Sequence, residues 1–103
     1  MATLVYCRDA ENAETLRKNH LAEHLAYIET IIDEIAVAGP LRSEPGKDMR
    51  HMVGSCLIFH TDDQDAARDL FFNDPYYKAG IFESVEFTHF AGAAGSWVGG
   101  KTW

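Results

Sequence analysis

Two short segments of this chain are apolar on both of their alternating faces, and that pattern limits the folds open to it. From Thr3 to Cys7, Leu4 and Tyr6 fall on one parity and Val5 and Cys7 on the other. From Met52 to His60, Leu57 and Phe59 oppose Cys56 and Ile58. A strand with one face in water alternates apolar with polar residues, whereas a strand covered on both sides does not. A chain of 103 residues has material for one core and one layer of helices, which can cover a single sheet face. The cheapest cover for the second face is another copy of the same surface, so the pattern predicts a homodimer.

The remaining elements fall around these two strands. Asn12, followed by Glu14 and a long periodic run, predicts a helix that ends at Ala38-Gly39-Pro40, where Gly and Pro stop it. Leu41 to Glu44 reads as a short strand before the Pro45-Gly46 turn. Gly54 marks a bend or a close backbone approach within the strand from Met52 to His60. Thr61 is the expected N-cap of a second helix running to about Asn73, which Asp74-Pro75 interrupts. Phe82 to Phe90 alternates as a last strand, and Ala91 to Trp103 is Gly-rich with two Trp residues. The order is β-α-β-β-α-β, an α+β ferredoxin-like arrangement with an antiparallel sheet.

Charge narrows the partners. The formal net charge of −7 argues against nucleic-acid phosphate and anionic membrane surfaces, since both need clustered Lys and Arg. No apolar run approaches the ~20 residues of a membrane span, and Met1 to Arg8 resembles a strand rather than a secretion signal, so a cytoplasmic protein is expected. Cys7 and Cys56 sit in apolar alternating segments, where a reduced buried thiol is the ordinary state. There is no Cys-x-x-Cys motif. His20 and His24 have metal-compatible spacing, but no Glu or Cys set completes a site, so no metal and no cofactor are expected.

The long helix carries the feature most suggestive of chemistry. Leu21, Leu25, Ile28, Ile31, Ile32 and Ile35 form one broad apolar face at helical spacing. His24 falls inside that face and Arg17 almost on its centre line. Burying such groups bare is expensive, so each must be paired or line a polar pocket. The plainer reading makes His24 a core histidine with a hydrogen-bonded partner. Likewise, Asp74 before Pro75 could serve only to cap a turn. The aromatic residues Phe71, Phe72, Tyr76 and Tyr77 fit core and dimer packing better than a substrate shelf.

Several short motifs occur in a consistent order: His24-Leu25, Ala38-Gly39-Pro40-Leu41, Gly54-Ser55, Asp74-Pro75-Tyr76, Lys78-Ala79-Gly80, and Phe82-Glu83-Ser84-Val85-Glu86-Phe87. Together they resemble the YCII-related family. The resemblance implies the ferredoxin-like dimeric α+β barrel over residues 1–91, with 92–103 as an added Gly/Trp-containing tail. It implies a His–Asp active pair, His24 and Asp74 by position, with Arg17, Ser55 and Tyr76 as substrate-binding positions. Leu21 departs from the basic or polar residue that many relatives carry there, which implies a changed ligand class. The implied function is a cofactor-independent lyase, isomerase or hydrolase acting on a small, aromatic or acidic metabolite. The alternative is a non-catalytic dimeric small-molecule-binding or accessory module.

Overall fold

The computed structural model describes residues 1–103. Strand β1 (Ala2–Asp9) leads into helix α1 (Ala13–Thr30), then strands β2 (Ile35–Arg42) and β3 (Met52–Phe59). Helices α2 (Gln64–Phe72) and α3 (Pro75–Lys78) and strand β4 (Phe82–Phe90) complete the domain. The four strands form one antiparallel sheet in the order β2-β3-β1-β4, the ferredoxin-like topology that the sequence implied.

Register assigns each residue to a face. Thr3, Val5 and Cys7 lie opposite Phe59, Leu57 and Ser55, and on the other side opposite His89, Phe87 and Val85. This face carries the helices, and Val5, Cys7, Leu57 and Phe59 pack there against Ala67 and Phe71 of α2. The other face carries Leu4, Tyr6, Val37, Cys56 and Ile58, all only half-buried. Cys7 and Cys56 stand on neighbouring strands but on opposite faces, and both are free thiols. A Cβ on Gly54 would collide with the backbone carbonyl oxygen of Cys7 and come within 3.3 Å of Leu41 Cδ1. Close strand approach therefore requires glycine here.

Four expectations need correction. Helix α1 ends at Thr30 rather than at Ala38-Gly39-Pro40, and a short 3₁₀ turn, Ile32–Glu34, follows it. Strand β2 occupies Ile35–Arg42 instead of Leu41 to Glu44. The β-branched residues around Ile35 and Val37 favour extended backbone, and Pro40 is tolerated because β2 is an edge strand. The N-cap of α2 is Asp63, whose carboxylate accepts from Asp65 N–H and Ala66 N–H. Thr61 lies two residues earlier and holds the turn: its hydroxyl accepts from Asp63 N–H and its carbonyl from the buried Thr3 hydroxyl.

The predicted apolar face of α1 is also less buried than its spacing suggests. Leu25 is 50% exposed, and the buried members of the helix are Ala13 and Arg17. Helix α1 is tied to the helical layer by Tyr27, which donates to the Leu70 carbonyl at 2.6 Å, and by Tyr76, which donates to the Arg17 carbonyl at 3.2 Å. It stands off the β2–β3 half of the sheet and leaves a cleft there. The residues after Phe90 form a small hairpin, β5 (Ala94–Gly95) with β6 (Gly100–Lys101). Trp97 and Trp103 are 86% and 76% exposed, so neither indole packs on its own domain.

Candidate active site

The cleft between α1 and the sheet has a volume of about 290 Å³, and Arg17, His24, Ser55, Asp74 and Tyr76 all line it. The five residues named from sequence therefore meet in one place. Apolar walls come from Leu21, Leu25, Leu57 and Phe82, with Met49 and Met52 among the lining side chains.

Asp74 is 2% exposed and opens α3, with Pro75 at the first helical position. Its Oδ1 accepts from Tyr76 N–H at 2.9 Å, which is the capping role, and lies 2.8 Å from His24 Nδ1. The capping and pairing readings of Asp74 are thus both realised, at a single oxygen. A carboxylate is an acceptor only, so Nδ1 carries the hydrogen and Nε2 keeps its lone pair whenever the imidazole is neutral. Tyr76 stacks flat on the imidazole, with ring centroids 3.7 Å apart and planes 2° from parallel. Burial, as the largest cause, pushes the Tyr76 phenol above its ordinary pKa, so it stays protonated and donates to the Arg17 backbone carbonyl. These contacts hold the ring from two sides while leaving the imidazole 20% exposed.

Arg17 is 3% exposed and makes a bidentate bond to Asp9, Nε to Oδ2 and Nη2 to Oδ1, both at 2.9 Å. Its Nη2 also donates to the Gly54 carbonyl and to Ser55 Oγ, each at 3.0 Å. Only Nη1 has no protein acceptor, and it is not sealed from solvent. The guanidinium carbon lies 5.4 Å from the Tyr76 ring centre and 5.7 Å from that of Phe82.

Asp9 escaped the sequence reading, since an Asp at a strand end resembles a turn residue. The available signal was Arg17 itself: a buried guanidinium demands a buried carboxylate. Met49 and Met52 carry no sequence signal as lining, and the β2 residues Ala38, Gly39 and Pro40 are hidden because Gly-Pro reads as a helix stop. His20 lies 3.6 Å from Glu23 and is not among the lining residues.

A four-stranded ferredoxin-like sheet with a His–Asp cleft under its first helix defines a small α+β barrel domain. The chain belongs to the YCII-related family, whose domain model matches residues 1–91. Among solved structures it is similar to the 5-chloro-2-hydroxyhydroquinone dehydrochlorinase of Burkholderia phenoliruptrix AC1100, in complex with 2,5-dihydroxybenzoquinone. That pair is 32% identical over 93% of this chain and 97% of the other, with a TM-score of 0.80. A protein from Agrobacterium tumefaciens shares the fold at 16% identity over 89% of this chain and 92% of that one, with a TM-score of 0.52. A search of curated proteins found no match. No helix is long and apolar enough to cross a membrane.

Proposed function

We propose that this protein is a cofactor-independent lyase that moves protons on a small hydroxylated aromatic molecule, with His24 as the base and acid. The observation that carries this reading is the 2.8 Å contact between His24 Nδ1 and the buried Asp74 carboxylate at a cleft wall. Asp74 fixes the tautomer and supports the imidazolium that forms when Nε2 takes a proton. Arg17 Nη1 and the Ser55 hydroxyl bind the substrate's oxygens, and Tyr76 keeps the imidazole plane in place. The similarity to a dehydrochlorinase supports small-molecule chemistry and suggests loss of HCl from a chlorinated hydroquinone. In that reaction His24 carries a hydroxyl proton to the chlorine-bearing carbon. A second hydroxyl then gives up its proton, and chloride leaves with the C–Cl electron pair. The product is a quinone, and no outside oxidant is needed.

The half-buried outer sheet face supports a homodimer in which two sheets meet, because Leu4, Tyr6, Val37 and Ile58 form one apolar surface there. Residues 92–103 extend beyond this domain as a separate tail.

Chloride release and quinone absorbance across a panel of chlorinated hydroquinones test the reading. The wild type should turn over at least one of them, and His24→Ala should lower kcat by roughly 10²–10⁴-fold with the fold intact. Equal turnover by His24→Ala, or none by the wild type on any hydroxylated arene, refutes it.

A further inference from the structure

The charges around the cleft are already answered inside the protein. Arg17, His24, Asp74 and the protonated Tyr76 phenol are the titratable lining residues, and Asp9 backs Arg17 with its side chain 8% exposed. When the imidazole is neutral, one guanidinium faces two carboxylates, within a chain whose formal net charge is −7. An anion entering this apolar space must shed its water, and it finds no uncommitted positive charge in return.

The free hydrogen-bonding groups point to the complementary ligand. Ser55 Oγ accepts from Arg17 Nη2, which leaves the hydroxyl hydrogen available. Arg17 Nη1 is a second donor, and His24 Nε2 is the acceptor. Two donors and one acceptor within apolar walls suit a ligand that presents a hydroxyl and neighbouring oxygens without a formal charge.

We propose that Asp9 is a specificity-determining residue: by cancelling Arg17 it makes the cleft select a neutral hydroxylated ring and turn away carboxylated rings of the same size. The proposal deepens the reading given above for the same cleft. It also changes the expected role of Arg17, which holds an oxygen through a hydrogen bond and does not attract an anion by net charge. Leu21 is consistent with this, since a basic side chain at that wall would supply the missing positive charge.

Calorimetric binding of hydroquinone and of 4-hydroxybenzoate at neutral pH tests the proposal. The wild type should bind hydroquinone at least about tenfold more tightly, the scale of one unfavourable charge near a protein surface. Asp9→Asn keeps an acceptor for Arg17 but uncovers its charge, and should gain about tenfold for 4-hydroxybenzoate. Leu21→Arg adds a cation without touching Arg17 and should show the same gain, which keeps the test open if Asp9→Asn fails to fold. The proposal is overturned if the wild type binds the carboxylate as well as hydroquinone, if neither probe binds at millimolar concentration, or if no folded variant gains the carboxylate. Turnover is not part of this readout. Discrimination without catalysis on any arene would defeat the enzyme reading alone, and catalysis with indiscriminate binding would defeat this proposal alone.

Discussion

Asp74 performs two tasks through one oxygen, and two substitutions separate them. In Asp74→Ala, Tyr76 N–H loses its cap and His24 Nδ1 loses its partner. Loss of an N-cap costs about 1 kcal/mol, and a buried donor left without an acceptor costs about 1–3 kcal/mol. His24 keeps some access to water, so part of its share is recovered. Because the two donors share one acceptor, the costs do not simply add. The expected loss is about 1–3 kcal/mol, or on the order of 10 °C in Tm for a domain of this size. Asp74→Asn retains an oxygen for both donors and should cost about 1 kcal/mol or less. It nevertheless removes the charge that supports the imidazolium, so turnover should fall roughly 10²–10⁴-fold. Urea denaturation gives the stabilities, and ¹⁵N NMR of the imidazole reports its tautomer, which should be Nδ1–H in the wild type and in the Asn variant, whose amide oxygen the Tyr76 N–H keeps in place. If Asp74→Ala costs less than about 0.5 kcal/mol, or if Asn is as destabilising as Ala, the shared-oxygen account is wrong.

Three further outcomes follow from the packing. Gly54→Ala should destabilise by about 3 kcal/mol or more, because the obstacle is the Cys7 backbone and no side chain can yield; a near-normal urea midpoint would contradict this. Burial first, then the nearby Cys56 and Asp9, pushes the Cys7 thiol from its ordinary 9.0 up to about 12. The fold keeps this thiol protonated while the unfolded chain ionises it, so its stabilising effect is complete below about pH 9 and is lost as pH rises toward 12. Urea midpoints should therefore fall more steeply from pH 9 to 11 in the wild type than in Cys7→Ala, and parallel profiles would refute the assignment. Deleting residues from Gly95 onward should leave the domain's own core intact but weaken self-association in sedimentation, since both indoles are exposed on the single chain. An unchanged dissociation constant would make the tail a solvated extension.

The strands were legible wherever side-chain alternation alone decided them. Strands β1, β3 and β4 lie where their apolar patterns put them, and Gly54 makes the predicted close approach. The stretch from Ile31 to Arg42 was misread because Gly39-Pro40 is both a helix stop and an acceptable edge-strand dipeptide. Helical spacing from Leu21 to Ile35 carried the pattern too far, although Ile and Val favour strand as readily. What decides is pairing with β3 across Ile58 and Leu57, a contact that no local window contains.

Within the site, legibility followed physical expense. His24 and Arg17 were visible because they interrupt an apolar helix face, where an ionisable group needs a reason to be present. Asp74, Ser55 and Tyr76 came from the family resemblance, since an Asp before Pro, a Ser after Gly and a Tyr near a helix end are each ordinary in isolation. Asp9 was invisible for the opposite reason: its cost shows only once Arg17 is known to be buried. A guanidinium at 3% exposure cannot be held by solvent, so some carboxylate must enter with it. Of the nearby acids, Asp9 ends the strand that leads into α1 and is buried with Arg17, whereas Glu11 is exposed in the connection and Glu14 lies near Lys18. The same necessity bears on the ligand. A buried Arg that must bring its own counter-ion cannot also present an open charge to a substrate. The hydrogen-bonding capacity left at Nη1 is therefore the part of Arg17 that a substrate can use.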